Sequence, residues 1–252
     1  MSFVNLYKPP PPPVVLPESE LYGPEPYDIN FAFPLQPPTL ECARVRLEPF
    51  VPAEHARAYW DALGAQGTAP FRFYPFYQRT LPEFLSFLEH AFRRVPTQLM
   101  LAIIDKTPQP TLAGVLALVN THVENRTTEI GHVLVFPAFR HTHVAKTAVG
   151  LLLRYCLQRP GADPPGLGMR RVAWCAHPRN APSIGLAERM GMRREGHLRW
   201  LWVLPEALAA EGREPAEEDP VRGYGRDTVL LSLCWDEWEG RGRDAVQAIT
   251  GD

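Results

Sequence analysis

With 252 residues, 45% of them hydrophobic and 21% charged, and a formal net charge of −2, the sequence describes a globular chain of one large domain or two small ones. That charge leaves no footprint for nucleic acid or an anionic membrane, and no apolar run approaches the roughly 18–20 residues that span a bilayer. Cys42, Cys156, Cys175 and Cys234 lack CxxC spacing, and the histidines form no HxxxH or HExxH pattern. No metal site or disulfide framework is therefore expected, only free and mostly buried thiols in a cytoplasmic, reducing setting.

Residues 1–40 hold 11 of the 28 prolines, including the run Pro9–Pro13, and polyproline II is the natural state of such a segment. Tyr22, Tyr27, Phe31, Phe33 and Leu35 are too apolar for a solvated tail, so the arm from about Leu21 is expected to lie extended along the domain. Alternation over Cys42–Phe50 predicts a first strand, and a helix opens at Pro52 with Ala56, Tyr59, Trp60 and Leu63 as its apolar stripe. An irregular aromatic stretch, Gly64–Gln78, precedes a second helix announced by Thr80 as cap, Pro82 in the first turn and Glu83 at the third position. Three strands follow, Gln98–Asp105, Leu112–Val119 and Glu129–Phe136, and their short polar turns make them antiparallel neighbours. A turn, Ala138–His143, leads into a helix over Val144–Tyr155, and the strand Arg171–Ala176 completes a βαβ unit parallel to the Glu129 strand. A second turn, His177–Ser183, enters a short helix over Ile184–Met190 that Gly191 stops. Met192–Leu204 reads as a strand with Trp200 and Trp202 on one face, Pro205–Arg226 as an acidic connection and Asp227–Trp235 as the last strand. Asp236–Asp252 reads as a loose polar tail, which gives an arm over 1–40, a domain over 41–238 and a tail over 239–252.

Strand, turn, helix over Thr128–Ala148 aims backbone N–H groups at an anion, although an ordinary βα connection has the same pattern. Three stretches go further: Arg140-His141-Thr142-His143-Val144-Ala145, then Asn180-Ala181-Pro182-Ser183 followed by Glu188–Met192, then Tyr224-Gly225-Arg226-Asp227 ahead of an apolar strand. With this order of elements they resemble the GNAT superfamily of acyl-CoA N-acyltransferases, over roughly Ala43–Trp238. Together with Glu129-Ile130-Gly131 they are similar to its RimJ/RimL-type branch.

The resemblance implies an α+β three-layer fold whose mixed, mostly antiparallel sheet splays open between a parallel strand pair. It implies acetyl-CoA as cofactor, its pyrophosphate held by Arg140, His141, Thr142, His143, Val144 and Ala145 and its arm beside Val133, Leu134, Val135, Asn180 and Ser183. The implied activity is N-acetylation of a small-molecule amine or a peptide N-terminus through a ternary complex. A non-catalytic binding module on the same fold, and an enzyme using an O-acceptor or a longer acyl group, are the alternatives. Glu129 is the candidate base and Ser183 the acid for the departing thiolate; a strand-edge carboxylate and a capping serine have the same signatures. His122 and His132 are not assigned a role. Acceptor contacts are expected from Trp60, Phe73, Tyr74, Trp200 and Trp202, beside an acidic rim suited to a cationic amine. His143 stands where the resembled loop has glycine.

Overall fold

The computed structural model describes residues 3–9, 14–63, 66–219 and 223–251. Pro10–Pro13 of the proline run, Gly64 at the head of the aromatic stretch and residues 220–222 of the acidic connection lie outside them. A seven-stranded sheet forms the middle layer, in the order β1-β2-β3-β4-β5-β7-β6. β1 (Val45–Pro49), β2 (Leu99–Asp105), β3 (Thr111–His122) and β4 (Thr127–Val135) are antiparallel neighbours, as their short connections require. β5 (Arg171–Ala176) runs parallel to β4 because the helix α3 (Val144–Leu157) returns the chain between them. β7 (Tyr224–Cys234) inserts between β5 and the edge strand β6 (Arg193–Leu204), antiparallel to both. The expected mixed, mostly antiparallel α+β architecture is what forms.

α1 (Pro52–Leu63) and α2 (Leu81–Leu88) cover one face. α2 starts as the sequence predicts: the Thr80 hydroxyl accepts from the Glu83 N–H at 3.2 Å. Tyr59 stacks on Phe84 at 4.3 Å between ring centroids, and this aromatic layer meets Met100, Ala102, Val115 and Ala117 of the sheet. On the opposite face, α3 and α4 (Ala181–Arg189) bury Leu151, Leu152 and Leu186 against Leu118, Ile130, Val172 and Leu231. Each fully buried leucine or isoleucine there contributes roughly 1.5–3 kcal/mol.

The arm from Leu16 and the segment after β7 both pack on the domain. Ile29, Phe31, Phe33 and Leu35 lie against the α3-side core, while Leu16 and Leu21 join the α1–α2 side, so the arm docks some residues earlier than Leu21. Its backbone is tied down as well: the Tyr155 hydroxyl donates to the Pro34 carbonyl at 2.8 Å and the Ser86 hydroxyl accepts from the Leu16 N–H at 2.9 Å. The C-terminal segment is not a loose tail. A short helix α5 (Trp235–Glu237), a π turn (Trp238–Gly242) and the helix α6 (Arg243–Thr250) follow β7 directly. Trp238 and Val246 are each 1% exposed. Gly150 makes the seat: a Cβ there would stand 2.9 Å from Thr250 Cγ2, so only glycine lets α6 lie this close to α3. Among the described residues no helix is long and apolar enough to cross a membrane.

Candidate active site

The site begins where the parallel pair ends. β4 and β5 are paired only over Thr127↔Arg171, Thr128↔Val172 and Glu129↔Ala173, and then they part. Directly beyond, the stretch Gly131–Leu134 faces Ala117–Val115 of β3 with one residue in excess, a bulge in which His132 takes φ +51°. An extra residue bends its strand away from the ladder, so the bulge widens the gap. Val133, Leu134 and Val135 keep β3 on one side and have no strand on the other. Gly114 is needed opposite, since a Cβ there would meet the Leu134 carbonyl oxygen at 2.3 Å. The Tyr74 hydroxyl reaches across and donates to the Val133 carbonyl at 3.0 Å.

The gap ends at the N-terminus of α3, whose first-turn N–H groups have no intrahelical partners. The Thr142 hydroxyl donates to the Phe139 carbonyl at 2.7 Å and receives the Val144 N–H at 3.3 Å, which pins the turn. His143 has φ −71° and ψ −21°, a helical conformation any residue adopts, and its Nε2 lies 3.3 Å from Asp105 Oδ1. The left-handed position is His141, at φ +61°. The backbone at 143 therefore does not call for glycine. Arg140 turns back to donate to the Val135 carbonyl at 3.3 Å, and Lys146 is exposed in the first turn of α3.

Asn180 and Ser183 sit where β5 passes into α4. Asn180 Oδ1 caps the helix by accepting the Ser183 N–H at 3.3 Å, and Ser183 Oγ accepts the Trp174 indole N–H at 3.1 Å. The capping role is real, and it leaves the Asn180 amide N–H₂ and the Ser183 O–H proton uncommitted by these two bonds.

Residues opposite one another in a ladder share a face. Glu129↔Ala173, Cys175↔Leu230, Leu198↔Thr228 and Trp202↔Arg226 thus trace one face from β4 to the edge. It is the α1–α2 face, but the cluster under those helices takes no side chain from β5, β7 or β6. A trough remains, with the Phe73–Tyr74 segment over one end. Glu129 looks into it half-buried, accepting from Asn120 Nδ2 at 3.1 Å. Burial raises its carboxyl above the ordinary range, against the lowering by Asn120, the Cys175 thiol and the Arg226 charge. Burial likewise pushes the Cys175 thiol to about 12, so it is not a nucleophile at neutral pH. His132 lies among Tyr74, Phe76, Phe87 and Phe92, and burial lowers it to about 4. That makes it a neutral part of the aromatic wall.

Of the five expected acceptor contacts, Phe73, Tyr74 and Trp202 gather at the trough. Trp60 instead stacks on Phe84 between α1 and α2. Trp200 and Trp202 do not share a face. Between Leu198 and Trp202 the strand carries two residues in excess over β7, and Trp200, at φ +56°, lays its ring on Gly225. Gly225 neighbours Arg226 in β7, so it faces the other way. The acidic rim is also altered: Glu211 is held by Arg72 at 2.9 Å and Arg179 at 3.6 Å, and Glu195 pairs with Arg171 and accepts from Ser232. Sequence reasoning gave no role to Arg226, which is 6% exposed at the trough. A lone arginine two residues ahead of an unbroken apolar strand was the available signal.

A splayed parallel pair leading onto a helix N-terminus, with Glu129 at the fork, is the arrangement expected of an acyltransferase. Residues 44–193 match the acetyltransferase (GNAT) domain family, and the chain belongs to that family: it is an acyltransferase. A GCN5-related N-acetyltransferase from Brucella melitensis is 29% identical, with 83% of this chain and 84% of that one covered at a TM-score of 0.63. A GNAT-family protein from Chromobacterium violaceum is 23% identical over 83% and 97% of the two chains, at 0.64. A spermidine N-acetyltransferase from Vibrio cholerae, solved with CoA and spermine, shares the fold at 13% identity, over 79% and 99%, at 0.57. No curated protein matches.

Proposed function

We propose that this enzyme transfers an acetyl group from acetyl-CoA to a primary amine by direct attack in a ternary complex, within the RimJ/RimL-type branch that the Arg140, Asn180 and Tyr224 stretches suggest. The observation that carries this reading is the unpaired edge of Val133–Val135 leading straight onto the start of α3. The residues fit the cofactor: strand-edge amides suit a pantetheine arm, and the α3 N-terminus with Arg140, His141, Thr142, His143, Val144 and Ala145 suits a pyrophosphate.

Acetyl-CoA supplies an acyl carbon activated as a thioester. The amine nitrogen forms the new C–N bond to that carbon as the C–S bond breaks. Glu129 takes the proton that the nitrogen sheds, a task favoured by the raised basicity of a half-buried carboxylate. Ser183 would give its hydroxyl proton to the departing sulfur and regain one, through water, from protonated Glu129, while Trp174 holds its oxygen in place. Asn180 offers its amide to the arm, and Phe73, Tyr74 and Trp202 wall the acceptor.

The test is purified protein with acetyl-CoA and a panel of primary amines, read by thiol release, with cofactor binding followed by calorimetry. Micromolar binding with amine-dependent thiol release is expected; no binding at millimolar cofactor overturns the reading.

A further inference from the structure

The trough holds one buried cation that no carboxylate pairs. Arg226 donates from Nη1 to the Thr228 hydroxyl at 2.6 Å and from Nη2 to the Phe73 carbonyl at 3.3 Å, while its Nε is buried with no partner. Among the described residues no carboxylate lies within ion-pair distance of it. Glu211 and Glu195, the carboxylates of this neighbourhood, are already claimed by Arg72 and Arg179 and by Arg171. Glu129 offsets this charge only from beyond ion-pair distance, and a buried guanidinium whose Nε edge lacks a hydrogen bond suits bidentate capture of a carboxylate.

Glu129 is the complementary half. Its carboxylate lies on the same face, held by Asn120 and the Cys175 thiol but by no ion pair, and Cys175 is within electrostatic reach of both it and Arg226. One acidic and one basic group on one face, neither held in an ion pair, match a molecule that carries a cation and an anion close together. A polyamine could place one amine at Glu129, but Arg226 repels its further charges.

Resting on the acyl-transfer reading above, we infer that the acceptor is an amine bearing a carboxylate, an amino acid of the α-amino type, whose amine goes to Glu129 and whose carboxylate goes to the open edge of Arg226. Phe73, Leu230 and Leu198 around this pair suit an apolar side chain on the acceptor. The Phe73 carbonyl covers the arginine, with the Arg72–Glu211 pair at 2.9 Å next to it, and the acceptor carboxylate would replace that carbonyl at Nη2.

The experiment compares, on the wild-type enzyme with acetyl-CoA, matched sets of free amino acid, its amide and its decarboxylated amine, with spermidine alongside. Free acids should be acetylated, and removing the carboxylate should lower kcat/KM about hundredfold, the scale of leaving a buried charge unpaired. Arg226→Gln should bring the ratio of acid to amide close to one while acetyl-CoA affinity stays within a few fold. Arg226→Lys should retain part of the preference. Acetylation of spermidine or of the amides at rates equal to the acids overturns this inference and leaves acyl transfer standing. Acetyl-CoA binding without transfer to any amine overturns both.

Discussion

Glu129 and Arg226 show what can be known of a residue before its neighbours are known. Glu129 could be singled out because it stands near the start of the strand that leads to the loop resembling a pyrophosphate cradle. Arg226 was not, because its partner Phe73 lies 153 residues away and no periodicity links them. If Glu129 is the base, its deprotonated form is the active one. Burial raises its pKa above the ordinary 4.5, so kcat/KM should fall as pH drops through a midpoint lying above that value. Glu129→Gln should cost about 10²–10³-fold in kcat with little change in acetyl-CoA affinity, and it should remove that acid limb from the pH profile. A limb that persists in the variant assigns the titration elsewhere. His143 gives the converse lesson: a departure from the resembled pattern at residue level proved harmless to the backbone, because its φ is helical.

At the scale of elements, alternation served the buried strands and failed at the edge. β2 is buried along its whole length and β5 alternates, so their sequences carry the pattern that the sheet imposes. β6 is exposed at every position but its last, and nothing there holds the register, so two extra residues bulge out around Trp200 and turn it from the face of Trp202. α6 escaped for another reason. Eight residues make too short a helix to persist alone. What makes it a helix is the seat at Gly150 on α3, which a local reading does not contain. Val246→Ala should therefore destabilise the fold by about 2 kcal/mol. In thermal melts that is a fall of roughly 4–8 °C for a chain of this size. An unchanged melt contradicts the docking of α6.

Over the whole molecule, the order of strands and helices carried the topology, because short turns force antiparallel neighbours and a helical crossover forces a parallel one. The arm was half-legible: its aromatics signalled packing, but the depth of attachment came from Leu16, Leu21 and the bonds to Ser86, Arg93 and Tyr155. Removing residues 1–13 should leave the melting temperature unchanged, since Phe3–Pro9 are exposed. Removing residues 1–35 strips Ile29, Phe31, Phe33 and Leu35 from the core and should lower it by more than about 10 °C, or leave the protein insoluble. Equal melts for the two truncations would show the arm to be dispensable.

The arm's attachments also set an order of events during synthesis. It leaves the ribosome before the domain it packs on, and its anchors come much later: Ser86 for Leu16, Pro96 for Ala32, Tyr155 for Pro34 and Pro165 for Thr39. The last of these lies 126 residues downstream, a delay of roughly 6–25 s at usual elongation rates. Through that interval the segment must neither coil into a helix nor pair as a strand, and its prolines forbid both. Its composition keeps a segment made before the domain ready to be fastened after it.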